Sequence, residues 1–331
     1  MRKEKIAILG TGAWGTALAN VLLENGHIVN MWGIDLNEIN DLKKGINTRY
    51  FGNKKLSKKP NLVTNNLELV LKNCEIILLA IPSKFLIETL KKIKAILFNK
   101  KVIIINVAKG IDVESKHFWS EVIKKNFKEN IHGLVSLLGP SFASEVFEKE
   151  TTLINAVGSD IRVIKKIKNL FDNTYFNLVP LTNELGAEIF AALKNVAAIG
   201  TGITYQLHHS INTRSAMLTS LFQEIYKIYI KLSKNKGISS IGYELCAIGD
   251  LTLTCTNEKS RNFSFGLLVG EIGIDKALKE NRSTVEGYIA SKIIHEILTK
   301  KKIKAPIMET IYKILYEGMD VNNLVKVLTK N

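Results

Sequence analysis

The chain has 331 residues, 46% hydrophobic and 23% charged, a balance that suits about two globular domains because a single core tends to split beyond roughly 250 residues. Three cysteines, Cys74, Cys246 and Cys255, with no C-x-x-C pair, argue against a disulfide framework and for reduced thiols in a cytoplasmic setting. The formal net charge of +15 comes from lysines scattered along the whole chain, with no interleaved aromatics, which argues against nucleic acid as a partner.

The tightest basic cluster, Lys300 to Lys304, closes a helical pattern, where cations are favoured anyway. The six histidines and the cysteines lack metal-ligand spacing, and His208 and His209 diverge on a helix, so no structural zinc is expected. No segment after the first reaches the roughly 20 uninterrupted apolar residues of a membrane span.

The amino-terminal stretch MRKEKIAILGTGAWGTALANVLL admits two readings. Arg2, Lys3 and Lys5 ahead of an apolar run to Leu23 suggest an export signal. Three glycines and Asn20 interrupt that run, however, and Ala19 leads on into helix-like sequence without a break. The alternative explains each residue. Lys5–Leu9 is a short strand, and Gly10, Gly12 and Gly15 spell G-x-G-x-x-G. The first glycine makes a tight turn, the second admits a pyrophosphate, and the third lets helix pack on strand. A helix from about Ala13 to Leu23 would aim its free N–H groups at that pyrophosphate.

Gly26 stops this helix, and Ile28–Trp32 is the second strand. Asp35 follows, 20 residues after Gly15. A carboxylate there would bond a ribose 2′-OH and repel a 2′-phosphate, favouring NAD over NADP. Alternatively Asp35 caps the next helix, DLNEIN.

Glu75–Ile81 and Val102–Val107 are continuous apolar runs, as strands buried on both faces require. Leu134–Leu138, Thr152–Val157 and Tyr175–Val179 complete the set, and the βαβ alternation predicts a doubly wound, parallel, Rossmann-like sheet. After about Thr182 the pattern turns helical: Glu184–Gly202, Arg214–Lys234, Asn262–Gly270, Thr284–Lys301 and Pro306–Glu317. The expected organisation is α/β, with a dinucleotide-binding domain over 1–182 and a mainly α-helical carboxyl-terminal domain over 183–331.

Ligands of such sheets bind beyond the carboxyl ends of the strands. Ala80-Ile81-Pro82-Ser83, Ala108-Lys109-Gly110 and Leu138–Ala143 occupy three of those ends. Lys109 is either a solvated loop residue or a cation placed where cofactor and substrate meet. Lys194 lies in AEIFAALKNVAAIG, where Glu188 is the other charge and alanines offer it little polar company. It either snorkels or serves as a desolvated proton donor and acceptor. Asp250, in GDLTLTCT, either pairs with a catalytic lysine or caps a helix. Ser260-Arg261-Asn262 would cradle a phosphate with hydroxyl, guanidinium, amide and helix N–H groups, or be an ordinary N-cap.

Together GTGAWGTALA, AIPS, VAKG, LGPSFASE, LKNVAAIGTG, GDLTLTCT, SRNFSFG and TVEGY resemble the bacterial type of the NAD(P)-dependent glycerol-3-phosphate dehydrogenases, in that family's order and from Gly10 to Tyr288. The resemblance implies reduction of dihydroxyacetone phosphate to sn-glycerol 3-phosphate for glycerophospholipid synthesis, by a cytoplasmic homodimer using NAD or NADP. It implies that Lys194 is the general acid and base, and that Lys109 touches both cofactor and substrate. Gly139, Ser141, Asp250, Ser260, Arg261 and Asn262 match substrate contacts. Ala13, Trp14, Ala143, Thr284 and Glu286 match cofactor contacts, and Arg261 reaches the cofactor as well. Relatives often carry Ser where Ala13 stands and a basic residue where Ile34 stands; the choice between the two cofactors stays open. Rival readings are a hydroxy-acid dehydrogenase, which would want a carboxylate-binding group and not specifically the Ser-Arg-Asn cradle, and an NAD(P)H-binding sensor, which needs the glycine turn but neither Lys194 nor Lys109.

Overall fold

The computed structural model describes residues 3–233 and 239–329; Arg2 of the export reading and Lys234 of the predicted helix lie outside the described residues. The chain divides into two compact units, Met1–Lys109 with His117–Glu184, and Gly110–Lys116 with Leu185–Asn331.

The first unit is built on strands β1 (Lys5–Leu9), β2 (Ile28–Trp32), β3 (Leu62–Thr64), β4 (Ile76–Leu79), β5 (Val102–Asn106), β6 (Ile131–Leu138), β7 (Thr152–Val157) and β8 (Phe176–Leu181). They form one sheet in the order β3-β2-β1-β4-β5-β6-β7-β8. Its helices are α1 (Ala13–Glu24), α2 (Leu36–Lys44), α3 (Thr48–Phe51), α4 (Leu67–Leu71), α5 (Leu86–Leu97), α6 (Trp119–Phe127), α7 (Ala143–Phe147) and α8 (Ile161–Phe171). Successive strand residues point to opposite faces. Ile6 and Ile8 therefore join Leu18 and Leu22 of α1 and Ile164 and Ile167 of α8. Ala7 and Leu9 face the other way, into the layer of Leu90 and Ile93 of α5 and Val122 and Ile123 of α6. Each such Leu or Ile contributes about 1.5–3 kcal/mol on burial.

The all-parallel expectation is corrected at one pair. β1 to β6 run parallel, but β7 lies antiparallel to β6, with Leu138 opposite Asn155, and β8 is parallel to β7. The reason is the connection. Its one helix, α7, has five residues, a rise of roughly 7 Å, too short to carry the chain back along a strand of about 20 Å. β3 has three residues, too few to leave a readable pattern.

The glycine turn welds β1, β4 and α1 together. Gly10 has φ +121°, and a Cβ there would sit 2.2 Å from the Ala80 carbonyl oxygen; one at Gly15 would sit 2.3 Å from the Gly10 carbonyl oxygen. The N–H of Gly10 donates to the Trp32 carbonyl at 2.8 Å, which ties the turn to β2 as well.

The second unit is helical: α9 (Glu184–Leu207), α10 (Ile211–Ser233), α11 (Asp250–Cys255), α12 (Arg261–Ile272), α13 (Ile274–Glu280), α14 (Glu286–Lys301), α15 (Pro306–Tyr316) and α16 (Asn323–Lys326). α9 is buried continuously from Gly186 to Thr204. It meets α12 backbone to backbone: a Cβ on Gly202 would lie 2.2 Å from the Phe263 carbonyl oxygen, and one on Gly266 would lie 2.2 Å from that of Ile199. α15 starts at Ala305 without a cap from its own side chain. Glu224 of α10 supplies it, accepting from the N–H groups of Ile307 at 3.0 Å and Met308 at 2.7 Å.

Burial holds the Glu224 carboxyl above the ordinary value of 4.5, against the opposing pull of those two N–H groups. A carboxyl whose pKa is raised on folding withdraws stability as pH climbs from its unfolded value through its folded one. Chemical denaturation across this range should therefore show Glu224→Gln gaining on the parent as pH rises. Glu224→Ala, which strands two buried donors, should be destabilised by about 2–4 kcal/mol throughout.

Candidate active site

α1 opens at Gly12 with no side-chain cap and no acidic residue in its first turn. By contrast, α2, α4 and α8 are capped by the side chains of Asp35, Asn66 and Asp160. Gly10 and Gly15 are packed solid, yet the first atom a Cβ on Gly12 would meet is the Tyr50 hydroxyl, 3.9 Å away. An uncapped helix N-terminus beneath open space is a cradle for an anion, and the pyrophosphate of NAD or NADP fits it. Ala13 and Trp14 stand half-buried beside it.

Because β1, β4, β5 and β6 are parallel, their following segments share one edge of the sheet. That edge gathers the glycine turn, the half-buried Lys109 after β5, and Gly139, Ser141 and Ala143 after β6. The Ser141 hydroxyl donates to the Gly139 carbonyl at 3.4 Å.

Asp35 is the N-cap of α2, its Oδ1 accepting from Asn37 N–H at 2.8 Å and Glu38 N–H at 3.2 Å. Its Oδ2 lies 3.3 Å from Nη1 of Arg49. No sequence motif marks Glu38, Arg49 or Tyr50. Glu38 is buried and accepts from the Thr11 hydroxyl, from Arg49 and from Tyr50. Buried Asn47, just before Arg49, donates to the Thr11 carbonyl and the Thr16 hydroxyl, both at 2.9 Å.

In the second unit Lys194 is 4% exposed and Asp250 1%. The lysine Nζ lies 2.5 Å from Oδ1 of Asp250 and donates to the Thr254 hydroxyl at 3.0 Å. That hydroxyl donates in turn to the Asp250 backbone carbonyl at 2.6 Å. Asp250 and Thr254 are four apart on α11 and so share a face. The expectation that Lys194 has little polar company is corrected: its local neighbours are alanines, and its partners arrive from another helix. No local pattern marks Thr254, for the same reason. The π-helical segment Leu245–Gly249 precedes α11 directly, and such segments cluster at functional sites.

Ser260 is the N-cap of α12, its hydroxyl accepting from Phe263 N–H at 3.4 Å. Asn262 is buried, and its Oδ1 accepts from Gly287 N–H at 2.8 Å. Arg261, with its side chain 57% exposed, lies 4.0 Å from Glu286. Asn195 does not share the face of Lys194 and instead donates to Glu286 at 3.4 Å. Asn195, Arg261, Asn262 and Glu286 are thus brought together from α9, α12 and α14. Thr284 is exposed, two residues ahead of α14.

A nucleotide-accepting turn on a doubly wound sheet, in one chain with a helical unit that buries an ammonium, defines a dinucleotide-dependent oxidoreductase. Its particular kind follows from comparison. The family model for the NAD-dependent glycerol-3-phosphate dehydrogenase N-terminus matches residues 5–163, and that for the C-terminus matches residues 183–326; the chain belongs to this family. It is 41% identical to the glycerol-3-phosphate dehydrogenase (NAD(P)+) of Malacoplasma penetrans, over 98% of this chain and 96% of that protein. It is 34% identical to the enzyme of the same name from Lacticaseibacillus casei, over 98% and 94%. The crystal structure of glycerol-3-phosphate dehydrogenase from Coxiella burnetii superposes with a TM-score of 0.88 at 28% identity, covering 99% of each chain.

Asp250→Asn should leave the buried ammonium without its counter-charge and cost about 3–5 kcal/mol of unfolding free energy, read by chemical denaturation. All three cysteines are buried, and burial pushes the Cys255 thiol up to about 12. A thiol reagent at mildly alkaline pH should therefore find no reactive cysteine in the folded protein and all three after denaturation.

Proposed function

We propose that the chain interconverts dihydroxyacetone phosphate and sn-glycerol 3-phosphate, with Lys194 as the general acid and base. The observation that carries this is the buried ammonium held between the Asp250 carboxylate and the Thr254 hydroxyl. Bound at the glycine turn, NAD or NADP supplies the hydride chemistry at the carbonyl carbon. The substrate oxygen gains negative charge as that carbon is reduced, and the Nζ of Lys194 gives it a proton. Asp250 and Thr254 fix the direction of the Nζ protons beforehand, so little reorganisation remains for the reacting state. In the oxidative direction Lys194 takes the proton back.

Ser260, Arg261 and Asn262 hold the phosphate. Ser260 and the first N–H groups of α12 form an anion-accepting turn, and Arg261 adds a half-exposed guanidinium. Asn262 keeps its Nδ2 for the ligand while its Oδ1 is fixed by Gly287. Binding energy spent on the phosphate orients the reacting carbon. By the family resemblance, Lys109, Gly139 and Ser141, which follow β5 and β6 on one sheet edge, also contact the substrate. A net charge of +15 favours the approach of a dianionic substrate. Following the family resemblance, the product feeds glycerophospholipid synthesis and the enzyme is a cytoplasmic homodimer; three buried cysteines that form no disulfide fit a reducing compartment. Among the described residues no helix is long and apolar enough to cross a membrane.

Absorbance of the reduced nicotinamide, followed with dihydroxyacetone phosphate, tests the assignment. Lys194→Gln, which keeps a donor for Asp250, should lower kcat by about 100-fold or more while leaving NADH affinity nearly constant; retained turnover would remove Lys194 from its role. Arg261→Ala should raise KM for dihydroxyacetone phosphate by about tenfold or more. A change in cofactor affinity alone would remove the arginine from the phosphate site.

A further inference from the structure

The carboxyl end of β2 is where a dinucleotide fold meets the adenosine ribose, and an acid there ordinarily rejects a 2′-phosphate. Here that acid is not left to itself. Oδ1 of Asp35 is committed to two helix N–H groups, and Oδ2 faces Nη1 of Arg49 at 3.3 Å. The same Nη1 lies 3.1 Å from Oε1 of Glu38, a buried carboxylate that also accepts from Thr11 inside the glycine turn. Tyr50, whose hydroxyl overlooks the open space at Gly12, donates to that Oε1 at 3.2 Å, and the guanidinium lies 5.4 Å from its ring centre.

Two features of Arg49 stand out. Its hydrogen bonds to Asp35 and Glu38 both run through Nη1. Its side chain is 62% exposed, so the rest of the fork faces water. A guanidinium carries five N–H donors and binds phosphate oxygens two at a time. Neighbouring Ile34, 72% exposed, brings no charge.

We propose that Arg49 is the residue that admits a 2′-phosphate, so that the chain accepts NADP as well as NAD despite Asp35. Nη1 neutralises one of the two carboxylate charges while the outer N–H groups take the phosphate. With NAD the arginine keeps the same two partners, and the ribose hydroxyls meet Asp35. The trio therefore tolerates either cofactor, and the positive charge sets the ratio between them. This inference rests on reading the glycine turn as the NAD(P) site.

The test is the ratio of NADPH to NADH affinity, measured by isothermal titration with each reduced cofactor alone. Arg49→Ala should lower that ratio by about tenfold or more, and Arg49→Lys should restore part of it, having the charge without the fork. Asp35→Asn, which preserves the cap oxygen, should move the ratio the other way. Raising the salt concentration should lower the parent ratio and leave that of Arg49→Ala nearly flat. Equal weakening of both cofactors by Arg49→Ala, or an unmoved ratio in both the Arg49 and Asp35 variants, would overturn the proposal. A parent protein that bound neither cofactor would overturn the dinucleotide reading itself.

Discussion

An ammonium and a carboxylate taken out of water together, 2.5 Å apart, impose their needs on everything around them. Each ion loses several kcal/mol of hydration, which returns only if geometry is tight and the remaining donors and acceptors are satisfied. Thr254 answers part of that requirement. Small residues flank Lys194 along its own helix: Ala191, Ala192, Ala197 and Ala198 are all buried and carry no polar group that could answer the ammonium from the same helix. A pair so costly contributes little to stability beyond what an apolar core of the same volume would, which is why its worth is sought, in the proposed function, in aiming a proton.

The two units divide the chemistry by physical principle. The first manages an anion with backbone: an uncapped helix N-terminus, two glycines packed against carbonyl oxygens, and open space above the third. The second works with side chains, on helices whose ends carry Asp250, Ser260 and Glu286, and on the proposed reading these handle a proton and a phosphate. Backbone sites are written in glycine spacing, whereas side-chain sites are assembled from distant segments.

That difference explains what could be read in advance. β1, β2 and β7 emerge with the predicted boundaries; in β1 burial on both faces leaves an unbroken apolar stretch after Lys5, while Asn30 in β2 and Asn155 in β7 interrupt runs that are still mostly apolar. The glycine turn is local and was legible in full. The reversal of β7 was not, since it hangs on the shortness of α7. Lys194 was conspicuous as a charge among alanines, but its contact with Thr254 spans 60 positions, and no local pattern announces such a partner. Glu38, Arg49 and Tyr50 look like an ordinary polar surface until folding sets them around Thr11. Asp35 carried two readings, and the fold shows why: a helix starts directly after it, so capping comes whatever else the carboxylate does.

The contact between Gly202 and Gly266 has its own meaning. Helix pairs are usually held 8–10 Å apart by interlocking side chains, and such spacers yield when neighbours change rotamer. Where α9 and α12 cross, backbone rests on backbone, so the spacing between the lysine-bearing helix and the Ser-Arg-Asn turn is set by missing atoms. Nothing there can rotate, so the reach from Lys194 to the Ser-Arg-Asn turn behaves as a fixed ruler, insensitive to the repacking that loosens other cores.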